Sequence, residues 1–209
     1  MKANYKAVIY DCDGVILDSI ESNYIFYNRI MEGLGRPPID RLCQVSERVL
    51  HTFSYLDVME HFFGNDPQKD EALAIGQTIR YRELMPYMRR EEELVETLEQ
   101  LKGHVELAVC TNRATSMEMI IEDFGLEGFF SCIMTAGKVR HPKPHPEPLL
   151  TVLEYYAIAP QEALFVGDSA VDMQAAQAAG VPFIAYKSDL PALGRIERHS
   201  QLLQYVFET

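Results

Sequence analysis

The chain has 209 residues, of which 47% are hydrophobic and 24% charged, and its formal net charge at pH 7 is −12. That length buries a full core and leaves room for a substantial insertion. The acidity argues against a nucleic-acid-binding face, which needs a basic patch, though not against an anionic substrate, since a bound dication and a few fixed donors can dominate locally. No apolar run is long enough to cross a bilayer. The opening Met-Lys-Ala-Asn-Tyr-Lys runs straight into a short apolar stretch without a small-residue cleavage site, so no signal peptide is read and a cytoplasmic protein is expected. Cys12, Cys43, Cys110 and Cys132 show no C-x-x-C spacing and are expected as reduced thiols.

In chain order, the first apolar run is Lys6 to Tyr10, followed at once by Asp11-Cys12-Asp13-Gly14. Residues 16–86 then carry helical patterns at Tyr24 to Leu34, Arg41 to Phe53, Tyr55 to Phe63 and Glu71 to Leu84, with no convincing strand. Helices are expected next at Glu91 to Leu101, Ser116 to Phe124, Pro148 to Tyr156 and Val171 to Ala179, the last closed by Gly180 and Pro182. Between them lie apolar runs at Val105 to Cys110, Cys132 to Thr135, Ala163 to Val166 and Pro182 to Tyr186. Near-continuous apolar runs suit a parallel sheet covered on both faces. Strand-helix alternation implies an α/β, Rossmann-like core with right-handed crossovers. The expected division is a catalytic core of residues 1–15 and 87–209 with an inserted α-helical domain at 16–86.

In open α/β sheets, ligands bind beyond the carboxyl ends of the strands. The polar residues there are Asp11 and Asp13, Thr111 and Asn112, and Asp168, joined by Lys143 and Asp172 from adjacent loop or helix positions. Asp11 and Asp13 are two apart and face the same way. Two carboxylates so placed repel unless a cation sits between them or one keeps its proton, and both solutions serve phosphoryl transfer. Asp11 can attack phosphorus, while Asp13 can protonate the leaving oxygen and then deprotonate water. Taken alone, Asp-x-Asp-Gly reads equally as an Asx-turn. Asp168 can share a cation with Asp11, and Asp172 stands on the first turn of the next helix; helix capping explains that pair as readily. Thr111 and Asn112 offer a hydroxyl and N–H groups at a helix start, suited to phosphate or to ordinary capping. Lys143, between Pro142 and Pro144, is a clamped ammonium that could bridge nucleophile and phosphoryl oxygens.

The order of these segments is more specific than any one of them. DCDGVILDS, VCTNR, HPKPHPEPL and GDSAVDMQAAQAAG resemble the four signature motifs of the haloacid dehalogenase superfamily, and they span nearly the whole catalytic domain. The resemblance implies a parallel sheet of order 3-2-1-4-5, Asp11 as nucleophile, Asp13 as general acid/base, and Thr111 and Lys143 on the phosphoryl group, with Asn112 and Gly14 also binding phosphate. It implies Mg²⁺ on Asp11, the main-chain carbonyl of Asp13, and Asp168, with Asp172 assisting through water or by orienting Lys143. Members acting on haloacids or phosphonates lack the second aspartate, so Asp13 points to phosphate chemistry. The insertion after the first motif resembles the helical cap of the phosphoglycolate phosphatase and β-phosphoglucomutase branch. Two departures concern that cap: Val45 to His51 contains no glycine where the branch often has one, and Met85-Pro86-Tyr87 stands where Pro-Gly is common.

The implied activity is hydrolysis of a small phosphorylated metabolite, such as phosphoglycolate, a sugar phosphate or a nucleotide, through an aspartyl-phosphate. A phosphosugar mutase using the same nucleophile is the alternative. A receiver module phosphorylated on aspartate is disfavoured by motif order, and a non-catalytic phosphate binder by the full set of catalytic groups. Monomer and dimer are both compatible with the chain. Arg48, Arg89 and Arg90 read as solvated charge or as contacts to an anionic substrate. His141 and His145 have i, i+4 spacing, but Pro142 and Pro144 forbid the helix that would align them, so no zinc site is expected.

Overall fold

A computed structural model describes residues 2–208. In chain order its elements are β1 (Ala7–Tyr10), β2 (Leu17–Asp18), α1 (Ile20–Gly33), α2 (Gln44–Thr52), α3 (Tyr55–Phe63), α4 (Lys69–Thr78), β3 (Arg89–Arg90), α5 (Leu94–Leu101), β4 (Glu106–Thr111), α6 (Met117–Asp123), β5 (Cys132–Thr135), α7 (Glu147–Tyr156), β6 (Ala163–Gly167), α8 (Ala170–Ala179), β7 (Phe183–Tyr186), β8 (Gly194–Ile196) and α9 (Leu203–Val206). Six strands form one parallel sheet in the order β5-β4-β1-β6-β7-β8. Counted along that sheet the order is 3-2-1-4-5, as expected, with β8 added at the edge. That strand spans three residues, too few for a sequence pattern to reveal it.

The period-2 geometry of the strands divides the sheet's two faces. Val8 and Tyr10 of β1 join Leu107, Val109, Leu164 and Val166 in one apolar cluster. Ala7 and Ile9 join Ala108, Cys110, Phe165 and the small face of α8, with Ala175, Ala176 and Ala179, in the other. All four β1 residues have no solvent exposure. Both partners of β1 are aligned with it, so Tyr10 lies level with Val109 and Val166. Asp11 therefore emerges in the middle of the sheet's carboxyl edge, where the strand order reverses.

The helices α1 to α4 surround a third cluster, built from Tyr24, Tyr27, Ile30 and Met31 of α1 with Val49, Leu50, Val58, Met59, Phe63 and Ala72. The α1 members recur at helical spacing and so share one face. The expectation of no strand in 16–86 is corrected at its edge. Leu17 and Asp18 pair antiparallel with Arg90 and Arg89, which ties together the two chain crossings into the helical segment. Helix ends also moved for local reasons. The Asp40 carboxylate accepts from the Leu42 N–H at 2.8 Å, an Asx-turn that delays α2 to Gln44. Thr78 Oγ1 donates to the Ile75 carbonyl at 2.7 Å as α4 ends, short of the expected Leu84. Glu93 adopts φ 60°, so α5 starts at Leu94.

At the far side, His199 is fully buried, stacked on Tyr186. Its Nε2 donates to the Val15 carbonyl at 2.8 Å and its Nδ1 has no partner, which describes a neutral ring. Burial pushes its pKa from 6.5 down to about 4. The unfolded chain therefore takes up a proton first as pH falls, and stability drops between about 6.5 and 4. The shift corresponds to a loss on the order of 2 kcal/mol between pH 7 and pH 5. Urea unfolding at the two pH values should show the native protein losing about 2 kcal/mol more than His199→Gln over that interval; equal changes in the two proteins would contradict the assignment.

Candidate active site

The loop after β1 is wound tightly enough to bring two acidic strands' ends together. The Asp11 N–H donates to the Val166 carbonyl at 2.9 Å, and the Cys12 carbonyl accepts from the N–H groups of Ile16 and Leu17 at 2.8 and 2.9 Å. Gly14 turns the chain at φ +76°, and a Cβ there would stand 2.2 Å from Asp168 Oδ2 and 2.6 Å from His51 Nε2. Only glycine permits both the conformation and the approach.

Lys143 comes from the loop between β5 and α7 and is almost wholly buried. Its Nζ lies 2.8 Å from Asp11 Oδ1 and 2.5 Å from Asp172 Oδ1. Asp172 Oδ2 accepts from the Ser169 N–H at 3.1 Å and from Ser169 Oγ, so α8 begins with a reciprocal cap whose acid also grips the lysine. Asn112 Nδ2 donates to the Lys143 carbonyl at 3.0 Å, fixing the main chain of that loop. The Asn112 side-chain amide is thus committed to the Lys143 loop, whereas the donors expected for phosphate are the main-chain N–H groups of its own loop. Thr111 Oγ1, at the end of β4, accepts from the Arg113 N–H at 3.1 Å. The structure therefore brings Asp11, Lys143, Asp168 and Asp172 together, with Gly14 against Asp168 and Thr111 and Asn112 on the adjoining loop.

Ligand oxygens of Asp11, Asp168 and Asp172 lie within 4.8 Å of one another. Burial, then the neighbouring Asp172 charge, pushes the Asp11 carboxyl well above the usual range, and Lys143 offsets this only in part. Burial also raises Asp168, against the opposing pull of His51. Lys143 is disfavoured as a cation by burial, but the charges of Asp11 and Asp172 outweigh that and raise its pKa. Asp11 and Asp172 share the Lys143 ammonium while Asp168 faces His51, so three carboxylates meet two cations, an excess of negative charge on hard oxygen donors that fits a divalent cation. Within that group Asp172 offers its two oxygens to Lys143 and to Ser169. The Asp13 carboxylate is outside that group; one oxygen accepts from Ser19 Oγ and from Arg113 Nη2. Burial raises Asp13, yet Arg113, Ser19 and His51 together carry it below the ordinary value.

Two residues were not singled out for these contacts. Arg113 follows Thr111-Asn112 directly and is buried against Asp13, with its guanidinium 5.4 Å from the Tyr81 ring centre. His51, on α2, crosses to the sheet edge and places Nε2 3.0 Å from Asp168 Oδ2. Burial opposes its protonation, but the hydrogen bond and charge of Asp168 raise its pKa to about 9. Nothing in the sequence around either residue marks a partner so far along the chain. Arg48, Arg89 and Arg90 are exposed. His141 and His145 meet without a helix: a turn from Pro142 to His145 sets their rings 4.7 Å apart, and both lie beside Glu147. The helical argument against their alignment is thereby corrected. All four cysteines are free.

The pairing of Lys143 with Asp172 generates a prediction. Asp172→Ala leaves a buried ammonium with one acid fewer and frees the Ser169 N–H. It should cost about 3–5 kcal/mol in urea unfolding measured with chelator present; a loss below about 1 kcal/mol would show that the pair does not hold the site together.

Comparison with known proteins agrees with this construction. The family model described as haloacid dehalogenase-like hydrolase matches residues 8–186. Phosphoglycolate phosphatase 1 of Pseudomonas aeruginosa is 31% identical over 183 residues, covering 84% of this chain and 67% of the relative, and phosphoglycolate phosphatase of Pseudomonas putida is 30% identical over 188 residues with the same coverage. Among solved structures, a haloacid dehalogenase-superfamily hydrolase of subfamily IA, variant 1, from Geobacter sulfurreducens is 53% identical, covers 96% of both chains and superposes with a TM-score of 0.79. The chain belongs to the haloacid dehalogenase-like hydrolase family.

Proposed function

We propose that the protein is a magnesium-dependent phosphatase of small phosphorylated metabolites that works through an aspartyl-phosphate on Asp11. The observation that carries this reading is the buried Lys143 ammonium shared by Asp11 and Asp172 at the sheet's carboxyl edge. The names of the two Pseudomonas relatives support the phosphatase class.

In this reading Asp11 Oδ attacks phosphorus and the alcohol departs. Lys143 holds the nucleophile and a phosphoryl oxygen, and Thr111 with the N–H groups of its loop receives the others. Asp13 supplies the proton to the leaving oxygen, then removes one from the water that cleaves the acyl phosphate. As it stands, gripped by Arg113, Asp13 is an ionised carboxylate suited to the second step. Before the first it must take up a proton, which requires loosening from Arg113. Magnesium, held by Asp11, Asp168 and the Asp13 carbonyl, would neutralise the clustered acids and the phosphoryl charge. Residues 16–86 act as a cap over residues 1–15 and 87–209, pivoting at the β2–β3 pair and excluding water when closed.

Phosphate release from phosphoglycolate, sugar phosphates, nucleotides and an aryl phosphate, with magnesium or chelator, tests the reading. Release should require the metal and fall by on the order of 10³-fold or more in Asp11→Asn; release within tenfold of native in that variant would overturn it. Asp13→Asn should lower turnover by about 10²–10⁴-fold while phosphate still binds. Unchanged turnover would remove Asp13 from the proton transfers.

A further inference from the structure

The cavity between the helical layer and the sheet edge has a volume of about 340 Å³ and reaches from Asp11 and Lys143 to the far wall. That volume falls at the lower end of the range of pockets that enclose drug-sized ligands. Its far wall is aromatic: Phe26, Tyr27, Phe53, Tyr55 and Tyr81 all line it. Phe26 sits edge-on to Tyr27 at 4.9 Å and to Tyr55 at 5.9 Å, so three of these rings support one another as a rigid surface.

The cavity's cations are already engaged. Arg113 and Lys143 are the only lysine or arginine side chains lining it among the described residues, and they hold Asp13 and the Asp11–Asp172 pair. The remaining cationic group, His51, holds Asp168. A substrate carboxylate would have to compete with Asp13, Asp11 and Asp168 for these cations. Gln77, Thr115 and Ser116 also line it, and two further polar side chains are already engaged. Asn23 gives its amide to the Leu50 carbonyl, and Thr52 its hydroxyl to the Arg48 carbonyl.

One polar group in the aromatic wall is free. Tyr55 Oη is buried with no hydrogen-bond partner. It abuts Gly76, where a Cβ would stand 2.5 Å from it, so the missing side chain of Gly76 is what lets the hydroxyl sit there. An aromatic wall of this kind suits a planar ring that packs against it, while the Tyr55 hydroxyl itself is enclosed against Gly76.

Accepting the phosphatase reading of the site, we propose that its substrates are phosphate monoesters whose alcohol half ends in a planar, uncharged aromatic ring, with the ring held by Phe26 and Tyr55. The ring can reach the wall through a sugar, as in a nucleoside monophosphate, or be joined directly, as in an aryl phosphate. Phosphoglycolate is excluded from the preferred class.

Binding and turnover separate this inference from the reading it rests on. Calorimetric titration of Asp11→Asn protein with magnesium present should give Kd values at least tenfold tighter for adenosine monophosphate or phenyl phosphate than for phosphoglycolate and glucose 6-phosphate. The tighter of the two ring esters then identifies the spacer. Phe26→Leu and Tyr55→Leu, which each remove a ring from the wall, should each narrow that ratio by about tenfold. Ring-selective binding without phosphate release from native protein would retain the inference and remove the phosphatase reading. Phosphate release with phosphoglycolate bound most tightly, or with a ratio unmoved by both substitutions, would overturn the inference and leave that reading standing. Failure of every ester to bind would overturn both.

Discussion

The arrangement depends on one ammonium among three carboxylates. Lys143 Nζ lies within ion-pair distance of Asp11 and Asp172, while Asp168 stands in the same group. Each neighbouring feature keeps that cluster compact. The aligned registers of β1 with β4 and β6 fix where Asp11 and Asp168 emerge. The Ser169 cap aims Asp172, the Asn112 amide pins the Lys143 loop, and Gly14 lets the first loop close on Asp168. Buried like charges are tolerated only where opposite charge and hydrogen bonds balance them. The residual imbalance is what makes this edge of the sheet chemically useful.

The helical layer completes the site from the opposite side. Its own apolar cluster makes it a stable body, yet it faces the sheet edge with aromatic side chains and one histidine rather than with fixed cations. The two layers meet at the β2–β3 pair, at the His51–Asp168 contact and where Phe26, Ile79 and Tyr81 pack against the sheet's cluster. Among the described residues, no helix is long and apolar enough to cross a membrane.

What was legible in the sequence follows from range. Strands such as Ala7–Tyr10 and Ala163–Gly167 announce themselves by continuous apolar character, and α8 by its Gly180 stop. Asp11, Lys143, Asp168 and Asp172 were found because strand ends in a parallel sheet converge, so position in the chain implies position in space. Local competition moved the helix ends: Asp40 capturing the Leu42 N–H and the left-handed Glu93 are side-chain and backbone choices that periodicity does not register. The contacts of His51 with Asp168 and of Arg113 with Asp13 span 117 and 100 residues, and no local pattern encodes either pair. The aromatic wall was equally hidden, because Phe26, Tyr55 and Tyr81 belong to separate elements that only folding gathers.

The central claim is that Asp11 becomes covalently phosphorylated, and borohydride reduction tests it most directly. Protein quenched during turnover, from native enzyme and from Asp13→Asn in which the second step is slowed, is reduced and its peptides weighed by mass spectrometry. An acyl phosphate on Asp11 is converted to homoserine at position 11, and that product, found in protein quenched during turnover, is the result the account predicts. Homoserine at another aspartate, or none in either protein while phosphate is released, would contradict it.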